Sequence, residues 1–486
     1  MSDTSNLSEK VKTATKWSAI AELAAKLVLP ITSMVLARLL TPEAFGIVAT
    51  LTMIVTFAEI FTDAGFQKYL IQHDFTDEID KDESTNVAFW SNLVMSLVIW
   101  GIIAIFADPL ATLVGNPGLG YVLVIACASI PLAAFSSIQM ALYKRDLDFK
   151  TLFKVRIVGV LVPLLITIPL AYILRSFWAL VIGTLSQNII NAILLTAYSK
   201  WHPRFFYSIA KLKEMLSFTI WSMFEAISIW MTSYVDVFIV GTLLSQYYLG
   251  LYKTTSSLVG QVMGLITATT TPVLFSALSK LQNDKKEFAA LFYNFQRAIS
   301  ILIIPIGVVL FCFSQQITTL VLGDKWAEAS DFVGLWGLTS ALVILYGSNM
   351  GEVYRAMGKP KVSVLVQWLH IIVLLPVVYF SAKVDFSCLS IARSVVRFEA
   401  ILVNLIAAYY VANLSFAKMI KHTAPALISG LAMLVCSMIL IMVLPHNLFV
   451  FFAELVVSFA VYFAMLLLFP SSRNTIEHTI KKYIRR

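Results

Sequence analysis

The sequence predicts an all-α, multi-pass membrane protein of about fourteen transmembrane helices, and three observations predict it. Of its 486 residues, 59% are hydrophobic and 13% charged, with a mean hydropathy of +0.83. A soluble domain carries about a quarter charged residues. Apolar runs recur along nearly the whole chain, each as long as the roughly 18 or more residues that cross a hydrocarbon core. Lys and Arg alternate between successive loops, as they do when loops alternate between two faces of a membrane.

Helices rather than strands follow from the solvent. In lipid the backbone must satisfy its own hydrogen bonds, so spans are helices or closed barrels. Barrel strands alternate over segments of about ten residues, whereas "VGVLVPLLITIPLAYIL" is uniformly apolar and too long.

Residues 1–16, "MSDTSNLSEKVKTATK", are polar. The run after Trp17 is longer than a signal-peptide core and no small-residue cleavage site follows it, so the first span is read as retained. Fourteen spans start near Trp17, Glu43, Val87, Leu119, Leu152, Phe177, Leu216, Leu249, Leu291, Asp331, Val362, Phe386, Thr423 and Leu448. One set of intervening segments carries Lys10, Lys144, Arg145, Lys200, Arg204, Lys211, Lys280, Lys285, Arg355, Lys359, Lys418 and Lys421, among others, and ends in the basic tail. The alternate set has only Arg38, Arg175, Lys325 and Lys383. The positive-inside rule then makes both termini cytoplasmic. The net charge of +8 is an orientation signal and an attraction to anionic inner-leaflet lipid, spread over too many short loops to read as a nucleic-acid patch.

The outward loops are short, among them "GNPG" at 115–118 and "LPHN" at 444–447, which leaves no room for an external domain. "HDFTDEIDKDES" at 73–84 is the one acidic cluster, cytoplasmic by this topology and read as a solvated loop. Cys127, Cys312, Cys388 and Cys436 fall in or beside apolar spans without CxxC spacing, so they read as buried free thiols. No metal motif, cofactor motif or catalytic constellation is evident.

A repeat organises the chain. "LARLLTPEAFGIVA" (36–49) returns as "VGTLLSQYYLGLYK" (240–253). At a shift of 204, Leu39, Leu40, Thr41 and Gly46 meet Leu243, Leu244, Ser245 and Gly250, and Trp17 and Ser18 meet Trp221 and Ser222. The shift spans six helices, an even number, so the copies face the same way, as parallel repeats about an axis along the membrane normal. Each copy is a helix, an outward corner and a second helix, with the glycine admitting close packing just inside the corner. The chain divides accordingly: a six-helix bundle over 1–198, an amphipathic cytoplasmic linker over 199–215, a second six-helix bundle over 216–412, two further helices over 413–470 and a basic tail over 471–486. In the linker Phe205, Ile209, Leu212 and Leu216 recur at helical spacing, which predicts a helix lying on the interface.

"KWSAI", "LARLLTPEAFGIV", "DAGFQKYLIQ", "TPVLFSALSKLQND" and "VLGDKWAEASDF…YRAMGKPKV" resemble the polysaccharide exporters of the MOP flippase superfamily, in particular the Wzx-type branch that handles colanic acid and related polymers. The resemblance runs from about residue 10 to about 420. It implies two six-helix bundles in a V around a central cavity, plus two C-terminal helices. It also implies transport of an undecaprenyl-diphosphate-linked oligosaccharide from the inner to the outer leaflet of a bacterial inner membrane, for surface polysaccharide. Membrane lipids, glycosyltransferases and a polymerase are then its partners, and H+ or Na+ its coupling ion. A cation-coupled multidrug or metabolite antiporter of the same superfamily is the second reading. A membrane glycosyltransferase or polymerase is a third, which the short outer loops without DxD oppose.

Such a transporter needs cations for a diphosphate and polar groups for a glycan, so charges deep in spans are the residues to weigh, since each is costly unless it faces a cavity or partner. Arg393 and Arg397 in "SIARSVVRFEAIL" share a face one turn apart, a spacing suited to bidentate phosphate recognition. The competing reading pairs them with acids on neighbouring helices. Glu22 and Lys26 sit at i,i+4, so they pair with each other or line the cavity beside Pro30. Glu225 lies within one residue of the repeat equivalent of Glu22 and is placed on the cavity side. Asp236 and Lys253 flank the echoed corner as a structural ion pair, with Lys253 snorkelling outward as the alternative, or as a gating pair, and His370 is either a packing residue or a proton-coupling one. Glu59 and Asp63 read as structural, Glu352 and Arg355 as a pair, and Asn188 and Asn191 as polar contacts between helices. Pro30, Pro131, Pro163, Pro169, Pro272, Pro305 and Pro376 mark bends.

Overall fold

A computed structural model of the chain describes residues 17, 24–26, 28–63, 65–445 and 447–473, the side chains of 63, 217–222, 224 and 225 excepted. No strand occurs among the described residues. The helices are α1 (28–39), α2 (Pro42–Asp63), α3 (Phe66–Gln72), α4 (Glu78–Ile105), α5 (Ala107–Leu113), α6 (Gly120–Cys127), α7 (Ser129–Arg145), α8 (Phe149–Val162), α9 (Ile168–Leu174) and α10 (Trp178–Tyr198). They continue with α11 (Ile209–Leu243), α12 (Gln246–Lys280), α13 (Lys285–Cys312), α14 (Ser314–Val321), α15 (Ser330–Val343), α16 (Met350–Ala356), α17 (Pro360–Ala382), α18 (Phe386–Val395), α19 (Arg397–Ala412), α20 (Phe416–Val443) and α21 (Leu448–Leu467). Among the described residues thirteen stretches are long and apolar enough to cross a membrane, and they coincide with the thirteen spans expected after the first. The few acidic residues at helix starts do local work. Asp77, Asp148, Asp284 and Asp385, with Asn447, each accept a backbone N–H of the first turn of α4, α8, α13, α18 and α21.

Packing divides the chain into two units, 1–253 and 254–486. The division falls inside α12 rather than at the linker, because α11, the first helix of the second repeat, packs along α2 of the first. Trp230 of α11 donates from Nε1 to Met53 O and Thr56 Oγ1, both at 3.2 Å.

Within the first unit the two echoed corners meet. A side-chain carbon on Gly46 would run into the Gln246 carbonyl, and one on Gly250 into the Pro42 carbonyl. Those are equivalent pairs under the shift of 204, so the contact is reciprocal. Only glycine permits backbones to approach this closely. Gln246 Nε2 also donates to Gly115 O at 2.9 Å, and Asn116 Nδ2 to Thr50 Oγ1 at 2.5 Å, so the "GNPG" loop is fastened to the crossing.

The linker differs from its expected form. Residues 199–208 form an irregular strap and the helix begins only at Ile209, as the first turns of the 35-residue α11. Phe205 does not share a helical face with Leu212; its ring stacks on Trp90 at 4.9 Å. The acidic run is the reason, and it is not merely a solvated loop. Residues from Glu78 onward open α4, where Asp82 accepts the Trp201 indole at 3.0 Å and Lys211 sits 2.5 Å from Asp80 and 3.1 Å from Glu83. Asn86 Oδ1 takes the Arg204 N–H at 2.6 Å and Trp90 Nε1 donates to Arg204 O at 2.8 Å. Burial pulls the Lys211 ammonium pKa down, but the two carboxylates outweigh it and hold it above its ordinary value. Strap backbone that a helix would have satisfied internally is satisfied here by α4 side chains.

In the second unit α20 packs on both α13 and α21. Ser437 and Ser458 hydroxyls meet at 2.8 Å, and Tyr462 Oη donates to Ile301 O at 3.2 Å. Two π-helical segments interrupt spans, Pro163–Thr167 before α9 and Ile344–Ser348 between α15 and α16. The first has a proline to cause it. The second has none, and its displaced carbonyls are taken by carboxamides: Gln296 Nε2 donates to Leu345 O and Asn349 Nδ2 to Ile344 O, both at 2.8 Å. Gln296 is fully buried and its Oε1 has no hydrogen-bond partner, so the residue is there for its N–H. Gln296→Leu should lower stability by about 1 kcal/mol by leaving the Leu345 carbonyl unpaired. An unchanged thermal-unfolding midpoint in detergent would show that the π segment holds without it.

Candidate functional site

The first unit contains a polar cavity of 400 Å³ at the end of the spans that carries the basic loops. Its walls come from α2 (Thr56, Glu59, Thr62), α4 (Asn92), α7 (Ser136, Ser137), α10 (Asn188, Asn191) and α11 (Met223, Ala226), with Gln67 and Lys68 of α3 at the mouth. Helix periodicity builds it. Asn188 and Asn191 are three residues apart on α10, and Thr56, Glu59 and Ile60 line one stripe of α2. Asn92 is almost wholly buried; its Nδ2 donates to Ser137 Oγ at 2.7 Å while its Oδ1 has no partner. A buried carbonyl oxygen left open beside hydroxyls and carboxamides is an acceptor for a ligand's hydroxyl or for water. Glu59, Asn188 and Asn191, read from the sequence as structural, are therefore cavity residues. The signal was their shared helical face with other polar residues, which a span-by-span reading does not compare across helices.

Beside this cavity, on the membrane's basic side, Tyr69 Oη donates to Glu214 Oε1 at 2.9 Å and Arg145 Nη1 donates to Leu70 O and His73 O, both at 2.8 Å, ending α3. Burial, then the Glu214 carboxylate, push the Tyr69 phenol pKa well up, so it stays a donor.

The second unit holds the arginine pair. α18 ends at Val395 and α19 begins at Arg397, so Arg393 and Arg397 flank a short break rather than lying on one unbroken helix. They nevertheless converge. Arg397 Cζ lies 3.7 Å and Arg393 Cζ 4.8 Å from the centre of the Trp336 ring. Arg397 Nη1 donates to Ser340 Oγ at 2.7 Å and to Trp336 O at 3.3 Å. An indole ring within reach of two guanidinium groups attracts both and offsets part of their repulsion. His370 Nδ1 lies 2.8 Å from Glu399 Oε2. Trp336 and Glu399 were not among the residues expected. Glu399 had a signal, being the one acidic residue between 386 and 412 in a stretch with two arginines. Trp336 had none, because its partners lie some sixty residues away.

The other expected residues are scattered. Lys26 is helical and half-buried. Glu22 lies outside the described residues, as does the Glu225 side chain, so the expected Glu22–Lys26 pairing and the second-half acid belong to neither description. Asp236 accepts the Tyr252 hydroxyl at 2.5 Å, and Lys253 lies 4.8 Å over the Tyr234 ring. The two ends of the expected Asp236–Lys253 pair are thus each held by a tyrosine. Glu352 is ion-paired with Arg355 as expected, and all four cysteines are free thiols.

Thirteen apolar spans among the described residues, with polar cavities and intramembrane charges, are the construction of a membrane transporter. Residues 35–331 match the family model described as "Polysaccharide biosynthesis protein". The chain belongs to this polysaccharide biosynthesis protein family. It is 24% identical over 337 residues to the succinoglycan biosynthesis transport protein ExoT of Rhizobium meliloti, covering 68% of this chain and 67% of that one. It is 22% identical over 364 residues to the lipopolysaccharide biosynthesis protein WzxC of Escherichia coli, covering 74% and 72%. Among solved structures it resembles the lipid II flippase MurJ in an inward closed conformation, with a TM-score of 0.76 and 16% identity over 94% of this chain and 99% of that one, which establishes the fold.

Proposed function

We propose that this protein flips an undecaprenyl-diphosphate-linked oligosaccharide from the cytoplasmic to the periplasmic leaflet of a bacterial inner membrane by alternating access, for surface polysaccharide synthesis. The observation that carries the reading is the polar cavity walled by α2, α4, α7, α10 and α11, inside a chain whose family makes polysaccharide. Hydroxyl and carboxamide side chains match the hydroxyls of a glycan, and a cavity dominated by acidic groups, which an organic-cation antiporter requires, is not what these residues make. The cavity lies at the basic-loop end, which the positive-inside rule assigns to the cytoplasm together with both termini. The glycine crossing of the corners lies at the other. Arg393 and Arg397 are assigned to the diphosphate, and the His370–Glu399 pair, in contact at 2.8 Å, to proton coupling.

The test is reconstitution. Purified protein in proteoliposomes loaded with a fluorescent undecaprenyl-diphosphate-linked oligosaccharide should expose the label to an external quencher faster than protein-free vesicles do. It should not do so for the same glycan without its lipid. Equal rates with and without protein would refute the proposal.

A further inference from the structure

A second cavity of the first unit, of 460 Å³, lies at the basic-loop end of the spans, among the start of α4, the ends of α7 and α10 and the strap. It is distinct from the polar cavity described above: α7 presents Ser136, Ser137 and Met140 to that one and Gln139, Tyr143 and Asp146 to this one. Its charge runs against its surroundings. Glu78, Asp82, Asp146 and Asp148 line it, with only Lys81 and Lys200 to balance them. Lys81 is shared, 3.5 Å from Glu78 and 3.9 Å from Asp146.

Three further observations point to a ligand and to its kind. Gln139 lines the cavity and is fully buried, yet its Oε1 has no hydrogen-bond partner, and its Nε2 reaches Thr196 Oγ1 only at 3.4 Å. A buried carboxamide oxygen left open on a cavity wall calls for a donor. Next, α7 and α10 both end here, and helix C-termini carry partial negative charge. The positive starts of α4 and α8 are already capped, by Asp77 and Asp148. Last, Tyr143, Tyr198 and Trp201 supply aromatic walls, and the Tyr198 ring already draws the Lys154 ammonium to 5.7 Å from its centre. The carboxylates are not gathered around one point, since among the described residues no three His, Cys, Asp or Glu side chains could hold a metal ion. Excess negative charge, an open acceptor and aromatic faces suit a flat cation with several N–H donors. That is a guanidinium; an ammonium is more strongly hydrated and has no plane to lay against a ring.

We propose that this cavity binds a guanidinium group arriving from the cytoplasm, its N–H groups taken by Gln139 and the carboxylates and its plane laid against an aromatic wall. An arginine side chain of a partner protein and a small free guanidine compound share this chemistry, and the test separates them. Binding is read without transport and in a cavity apart from the one assigned to the glycan, so failure here leaves the export reading intact and failure of export leaves this one.

The full chain, purified in deuterated detergent, is titrated with the N-acetyl amides of arginine, lysine and citrulline, and binding is followed by saturation-transfer NMR. The arginine compound should bind about fivefold or more tighter than the lysine compound. Citrulline, which keeps the shape and loses the charge, should not bind. Asp146→Lys alters an exposed residue and spares folding, and it should weaken arginine binding about tenfold. Gln139→Met should weaken it about threefold or more at an unfolding midpoint measured in parallel. Tighter binding of a blocked peptide with the arginine between alanines assigns the guanidinium to a protein partner, and equal binding assigns it to a free compound. Equal binding of the arginine and lysine compounds, or arginine binding that survives Asp146→Lys and Gln139→Met, overturns the proposal. So does stronger binding of maltose than of the arginine compound, which would make this a sugar site.

Discussion

Replacing both arginines, Arg393→Ala with Arg397→Ala, should abolish polymer export while leaving the protein in the membrane at normal abundance. Both guanidinium groups meet at Trp336, and Arg397 is further tied to Ser340. That arrangement fixes their planes in advance, so little ordering remains to be done when a diphosphate arrives. Truncating a desolvated, hydrogen-bonded charge partner costs about 2–5 kcal/mol, or roughly 30-fold or more in affinity. The conservative variant separates recognition from packing. Arg393→Lys with Arg397→Lys keeps the charge but loses the fork, so it should export poorly and yet insert and unfold like the parent. Affinity for undecaprenyl diphosphate, measured against undecaprenyl monophosphate, should fall more than affinity for the latter. Normal export by the double alanine variant, or an equal loss for both lipids, would remove the diphosphate from these residues.

Much of this architecture is written in the sequence because the membrane dictates it. Lipid leaves the backbone only helices, so each long apolar run had one outcome, and thirteen of the fourteen expected spans coincide with described helices. The shift of 204 that relates Leu39–Gly46 to Leu243–Gly250 identified the two glycines, although it placed each inside its own corner. The structure sets them against each other's partner helix, a tertiary fact with no local signal. The strap is the opposite case. The spacing of Phe205, Ile209 and Leu212 is helical, but Asp82, Asn86 and Trp90 offer its backbone and rings better partners, and tertiary contacts override local pattern there. Prolines flagged Pro163 but could not flag Ile344–Ser348, where Gln296 from another helix makes the irregularity tolerable. For the site, single charges such as Arg393 stand out in an apolar run. Carboxamides such as Asn188 and Asn92 become a cavity only when several helices bring them together.

The corner crossing yields the other large effect. Gly46→Val with Gly250→Val should reduce export to background by forcing the outer corners apart. In each copy the new side chain would meet a backbone carbonyl, of Gln246 or of Pro42, which cannot rotate away as a side-chain tip can. Overpacking a close contact costs about 1–3 kcal/mol per site, and two sites acting on one crossing shift a closed-to-open equilibrium by about thirtyfold or more. The Gln246–Gly115 bond and the docking of the "GNPG" loop should be lost with it. Opening is directly measurable. In a variant lacking Cys127, Cys312, Cys388 and Cys436, a cysteine at Asn188 reports on the polar cavity. A membrane-impermeant thiol reagent added outside the cell should label it slowly when the corners are glycine and many times faster when they are valine. Gly46→Ala alone, with a single methyl to accommodate, should fall between. If the valine variant stays shielded and still exports, the corners do not seal the outer side. If it is labelled rapidly and still exports, closure at the corners is not needed for turnover, and the alternating-access reading fails with it.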